Sequence, residues 1–190
     1  MAEHVILFTG PMGAGKTTAI QSLSEIEVVR TEATNTERHV VDKATTTVAL
    51  DYGEILVGAQ EKVRLYGIPG QRRFNFMWTI LKKRAKGMIL LVHSDSPDPI
   101  AEMLYYLDEF RELYYRGGVL VGVTRADVVE GPSLSEYADA LERTNPGLTI
   151  PVFTVDPRKR EQMQNLLLTL VINIEMRAAF GLHMPDARQA

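Results

Sequence analysis

The sequence predicts a doubly wound α/β domain: a mostly parallel, six-stranded sheet with helices on both faces. Three observations point there. Short apolar runs alternate with helical patterns along the chain, the signature of strand–helix–strand units. The runs at 88–92 and 119–123 are apolar throughout, as befits strands covered on both faces. Finally, Gly10-Pro11-Met12-Gly13-Ala14-Gly15-Lys16-Thr17 follows an apolar run and opens a helix, matching G-x-x-x-x-G-K-[ST] in the context that pattern needs.

Val5 to Thr9 reads as the first strand and Thr17 to Leu23 as the start of a helix. The polar stretch from Glu27 to Thr46, rich in Thr, Glu and Arg, is long for a plain connection, and such loops are often functional. Thr47 to Tyr52 and Lys62 to Tyr66 alternate enough for two strands, with a turn near Gly58. Phe74, Met77, Trp78 and Leu81 recur at i, i+3, i+4, i+7 and predict a helix. Another opens at Pro99, buries Ile100, Met103, Leu104, Leu107 and Phe110, and closes at Gly117-Gly118. Ser133 to Arg143 is a short helix and Ile150 to Phe153 the last strand. The final helix takes Asp156 as cap and Pro157 as its first residue. Met163, Leu167, Leu170, Val171 and Ile174 form its buried stripe, and Gly181 can end it. With no repeat or low-complexity tract, residues 1–190 read as one domain.

Composition narrows the function classes. A hydrophobic content of 45% with 24% charged residues is ordinary for a globular protein. The net charge of −3 argues against nucleic acid as the main partner. Lys82-Lys83-Arg84 and Arg158-Lys159-Arg160 read as solvated helix ends. The absence of cysteine removes disulfides, thiol catalysis and thiol-linked lipids, and fits a reducing compartment. Met1 to His4 carries no signal-peptide pattern, and Ala2 stands where myristoylation requires glycine. Leu166 to Ile174, interrupted by Thr169 and Asn173, is too short to span a bilayer. The expectation is a cytoplasmic protein with no direct membrane anchor.

In open α/β sheets ligands bind at the carboxyl ends of the strands, and the candidate residues follow strands. Gly10, Met12, Gly13, Ala14 and Gly15 let backbone N–H groups curl around a phosphate at a helix N-terminus, with Thr18 beside them. Lys16 is expected to reach the β- and γ-phosphates, and the Thr17 hydroxyl to bind Mg²⁺. In Pro69-Gly70-Gln71, Gly70 can offer its N–H to a γ-phosphate and Gln71 can orient an attacking water; a plain strand-to-helix turn is the alternative. In Thr124-Arg125-Ala126-Asp127, the Asp127 carboxylate can accept from N1–H and the exocyclic amine of guanine while the Arg125 stem covers the base; Asp127 as a helix cap is the alternative. A hydroxyl in Thr45-Thr46-Thr47 can complete a Mg²⁺ shell, or the threonines serve only a strand.

Taken in order, these stretches resemble the Ras/Arf-like small GTPases, and most of all the bacterial, MglA-like branch of gliding-motility type. The phosphate loop and Leu65-Tyr66-Gly67-Ile68-Pro69-Gly70-Gln71-Arg72-Arg73-Phe74 are the most specific parts of that likeness. The resemblance implies a small G-domain of the P-loop NTPase type, a GTP/GDP switch with slow intrinsic hydrolysis, and Mg²⁺ as cofactor. Residues ~27–47 and ~67–76 would be the switch segments. It implies catalytic roles for Lys16 and Gln71, metal ligation by Thr17 and Thr47 (or Thr46), and γ-phosphate sensing by Gly70. Asp127 would read guanine, with Thr124 and Arg125 beside it, and backbone amides at Val155-Asp156 would contact the guanine oxygen. An arginine acting in cis could be Arg38, Arg72 or Arg73. A Roadblock-type regulator or GTPase-activating protein would dock on the surface that includes Phe76 and Ile80.

The chain departs from the family in four places. Gly67 stands where aspartate usually holds Mg²⁺ through water, and Met12 replaces a frequent small residue. Thr124-Arg125 replaces the usual Asn-Lys, and Val155-Asp156-Pro157 takes the place of Ser-Ala-Lys. Two other functions fit the phosphate loop: an interaction module that binds nucleotide with little or no hydrolysis, and a P-loop small-molecule kinase.

Overall fold

The computed structural model describes residues 3–34, 47–58, 61–70, 75–116, 118–147 and 149–180. Its strands are β1 (Glu3–Thr9), β2 (Val29–Thr34), β3 (Thr47–Val57), β4 (Glu61–Gly67), β5 (Gly87–His93), β6 (Val119–Thr124) and β7 (Val152–Thr154). The helices are α1 (Lys16–Leu23), α2 (Asn75–Arg84), α3 (Pro99–Glu109), α4 (Arg111–Tyr115), α5 (Leu134–Thr144) and α6 (Arg160–Phe180). The strands form one sheet in the order β2-β3-β4-β1-β5-β6-β7. All pairs from β4 to β7 are parallel, and β3 alone runs against its neighbours.

Side chains alternate across the sheet with period two, and each face collects its own core. Leu7, Leu90, Val92, Val121 and Val123 pack with Trp78, Met103, Phe110 and Tyr137 from α2 to α5. Ile6, Phe8, Ile89, Leu91 and Leu120 pack on the other face with Ile20 and Leu23 of α1 and Met163, Leu167 and Leu170 of α6. β5 and β6 are buried along nearly their whole length, as their unbroken apolar runs require. The α/β architecture with helices on both faces agrees with the sequence.

Three expectations need correction. The sheet has seven strands, not six, because Val29–Thr34 pairs antiparallel with β3 where a long polar loop was expected. An edge strand has only one neighbour and needs no apolar run, so its polar sequence conceals it. The helix expected from Pro99 to Gly117 is two: it opens with Asp98 Oδ1 accepting from the Ala101 N–H, and breaks at Phe110. The last helix begins at Arg160 rather than Pro157, because the Asp156 carboxylate caps the turn below it by accepting from the Arg158 N–H and guanidinium. α6 then runs to Phe180; Gly181 lies outside the described residues.

Candidate nucleotide site

The carboxyl end of β1 meets α1 through Gly10 to Gly15, and this loop lies where the strand order reverses, with β4 on one side of β1 and β5 on the other. Crevices form at such reversals. Gly10 has φ +134°, and a Cβ there would fall 1.9 Å from the Leu91 carbonyl oxygen, so no larger residue fits. Gly15 caps α1 at φ +94° and brings no side chain to the helix end. The first amides of α1 therefore face outward with the positive end of the helix dipole.

A cleft of ≈ 410 Å³ opens beside this loop, lined by Gly13, Ala14, Gly15 and Thr18 on one wall. Asp95, Thr124, Arg125, Asp127 and Val128 form another wall, and Asp156, Pro157 and Arg158 a third. Its size suits a drug-sized or nucleoside-sized ligand. Eight of the expected binding residues thus share one cleft: Gly13, Ala14, Gly15, Thr18, Thr124, Arg125, Asp127 and Asp156.

Their hydrogen bonds explain the shape. Thr124, 1% exposed, directs its hydroxyl at the Ala14 and Val92 carbonyl oxygens and ties β6 to the phosphate loop. Arg125 takes φ +60°, the one positive value outside glycine among the described residues. That turn sends its guanidinium back across the cleft, where it donates to the Gly13 carbonyl oxygen at 3.1 Å and pairs with Asp95 at 2.5 Å. The Arg125 hydrogen bond, with a lesser one from His93, holds the Asp95 carboxyl below its usual range. Asp127 caps no helix; α5 is capped by a Ser133–Glu136 capping box instead. The Asp127 carboxylate stands exposed, 3.9 Å from Arg158. Arg158 also forks onto Asp156 and depresses its carboxyl to about 2.

The two amides expected to meet a guanine oxygen have partners within the protein. The Val155 N–H donates to the Val123 carbonyl oxygen at 2.9 Å, and the Asp156 N–H to Gln162 Oε1 at 2.7 Å. A base contact through either would have to exchange that bond. Asp156 reaches the cleft instead by its side of the wall, with Pro157 and Arg158.

On the other flank of the loop, Lys16 Nζ donates to the Gly10 and Pro11 carbonyl oxygens at 2.8 and 2.6 Å. Burial lowers its ammonium to about 8, opposed by the charge of Asp51. Thr17 Oγ1 donates to Asp51 Oδ2 at 2.5 Å. The segment after β4 is pinned under the loop: Ile68 N–H donates to the Phe8 carbonyl, Trp78 Nε1 to the Pro69 carbonyl, and the Tyr106 hydroxyl to the Gly70 carbonyl. A Cβ on Gly70 would lie 2.1 Å from the Gly10 carbonyl oxygen, so the two loops touch backbone to backbone. Met12, at the loop crest, is 74% exposed.

Thr47 is the first residue of β3, paired with Thr34. Gln71, Arg38, Thr46, Arg72 and Arg73 lie outside the described residues, as does the side chain of Phe76, whereas Ile80 is 61% exposed on α2. Sequence reasoning missed Asp95, Pro157, Arg158 and Asp51. Pro157 and Arg158 adjoin an expected residue and Asp95 follows β5, so a search of strand ends would reach them. Asp51 sits inside a strand and carries no local signal. Among the described residues no helix is long and apolar enough to cross a membrane. No protein-family model matches the chain, and no curated protein does either.

Proposed function

We propose that this chain is a small regulatory GTPase: it binds GTP and GDP, hydrolyses GTP slowly, and signals through the conformation of the segments beside its phosphates. The observation that carries this reading is the convergence of Gly13, Ala14, Gly15 and Thr18 with Thr124, Arg125, Asp127 and Asp156 on one cleft at the carboxyl ends of the strands. A base in that cleft would lie beside an exposed carboxylate that can accept two hydrogen bonds from guanine and none of that pattern from adenine. The phosphates would run toward the first amides of α1 and Lys16. Gly70 lies against Gly10 of the loop, which supports a role for its N–H at a terminal phosphate, and Gln71 follows it in the chain.

The donor set on the phosphate side fits Mg²⁺: a threonine hydroxyl with a carboxylate 2.5 Å away, both hard oxygen ligands. Thr17 would hold the ion, as would Thr47 by resemblance. When bound, Mg²⁺ supplies charge neutralisation at the phosphate oxygens. Lys16 and the loop amides hold the phosphates, and Gln71 orients the attacking water. The exposed Ile80 supports a protein partner on α2, by resemblance a Roadblock-type regulator or GTPase-activating protein. The lack of cysteine supports a cytoplasmic site of action.

Gly67 brings no carboxylate to the end of β4, and this favours a second reading, a module that binds nucleotide without turning it over. Calorimetry with GTP, GDP, ATP and ADP, followed by phosphate release with and without Mg²⁺, separates the readings. Guanine nucleotides binding in preference to adenine, with slow phosphate release from GTP, is the expected result. Preference for ATP, or no heat with either guanine nucleotide, overturns the proposal; binding without any turnover selects the module.

A further inference from the structure

We propose that Asp51, from the interior of β3, supplies the metal-side carboxylate of this site, in place of an acid at the end of β4. The inference deepens the GTPase reading and rests on it.

A phosphate-loop threonine that binds Mg²⁺ works with an acid at the end of a nearby strand. The strand that ends beside the loop is β4, and its last residue is Gly67. β3 is antiparallel to β4 and brings Asp51 directly opposite Gly67. A Cβ built on Gly67 would stand 3.1 Å from Asp51 Cβ and 3.3 Å from Asp51 Oδ2, and 2.8 Å from Ile20 Cδ1. Two acids do not fit there. The space that a side chain at position 67 would take already holds the Asp51 carboxylate, so the glycine is the room that the aspartate uses.

The carboxylate points at the right atom. Thr17 Oγ1 donates its single proton to Asp51 Oδ2 at 2.5 Å, which leaves the hydroxyl's lone pairs as donors toward a cation. The same carboxylate is close enough to Lys16 to favour its charged form against burial. A structural pairing of Thr17 with Asp51 predicts a loss of stability without Mg²⁺ dependence; a metal-side acid predicts that the loss appears only with the ion.

The test uses the full chain and a fluorescent GDP analogue, with release timed in excess Mg²⁺ and in EDTA. Mg²⁺ is expected to slow release from the wild type. In Asp51→Asn that slowing should shrink by about tenfold or more, the usual scale for removing a partner of a metal ligand, while release in EDTA changes by much less, through the lost charge beside Lys16. The exchanged variant Asp51→Gly/Gly67→Asp, in which the acid changes strand, should regain most of the Mg²⁺ effect, and it provides the measurement if Asp51→Asn is poorly folded. Direct Mg²⁺ titration of each GDP complex gives the affinity without reference to hydrolysis. Unaltered Mg²⁺ dependence in Asp51→Asn, or an equal loss in EDTA, overturns the assignment and leaves the GTPase reading standing. A wild type that retains no guanine nucleotide overturns both.

Discussion

The two flanks of the phosphate loop are built on different rules. On the flank of β5, β6 and β7, the residues facing the cleft stand at or just after the end of a parallel strand: Asp95, Thr124, Arg125, Asp127, Val128, and Asp156 to Arg158. Ion pairs made by exposed arginines arrange several of them, Arg125 with Asp95 and Arg158 with Asp156. On the flank of β3 and β4, the chemistry comes from a strand interior and from backbone packed on backbone, with Asp51 opposite Gly67 and Gly70 against Gly10. Side chains held by solvated pairs can be exchanged at modest cost, whereas touching backbones cannot. The first flank should therefore tolerate change and the second should not.

The largest effect is expected at the loop itself. Lys16→Ala removes a buried cation that the proposed function places on the phosphates, and it should weaken GDP and GTP binding on the order of 100-fold by calorimetry. Next comes Gly70→Ala, whose methyl would meet the Gly10 carbonyl at 2.1 Å. Forced separation of the loops should cost about 1–3 kcal/mol in urea unfolding, and an unchanged midpoint would break the contrast between the flanks. Asp127→Ala, by comparison, should fold normally and lose about tenfold in guanine-over-adenine preference, since it removes from an open position the carboxylate proposed to accept from guanine.

A pH series sharpens the same contrast. In the free chain Lys16 loses its proton near pH 8, and a polyphosphate binds the protonated form better. Affinity should be steady below pH 8 and fall above it, by at most about tenfold per pH unit, with proton uptake on binding. Folding responds in the opposite sense: the folded chain deprotonates Lys16 at about 8 and the unfolded chain at 10.5, so this group's penalty on stability is relieved as pH rises across that window. Arg125→Ala should do least. Its pair with Asp95 is about half exposed on the arginine side, and its loss should change stability by less than about 1 kcal/mol in the same urea assay.

What the sequence made legible follows from the same division. The phosphate loop and Thr124 to Asp127 are contiguous, and each follows an apolar run that announces its strand, so their meeting at one cleft was foreseeable from the rule of carboxyl ends. Asp51 was not foreseeable: its value depends on the β3–β4 register that sets it opposite Gly67, and no local pattern encodes a register between strands. The β2 strand stayed hidden because Arg30, Thr31, Glu32 and Thr34 do not spell burial. The break at Phe110 carries neither glycine nor proline, and Asp156 looked like a helix cap until Arg158 claimed it.

The chain has one tryptophan, and it is Trp78. Its ring is fully buried against Tyr106 and Phe110, and its indole N–H reaches the Pro69 carbonyl, one residue before the glycine that lies under the phosphate loop. Any ligand that draws the Pro69-Gly70 peptide toward itself must alter that hydrogen bond. If the proposed function holds, the emission of this single tryptophan should change in intensity or colour when GTP replaces GDP, with no dye attached.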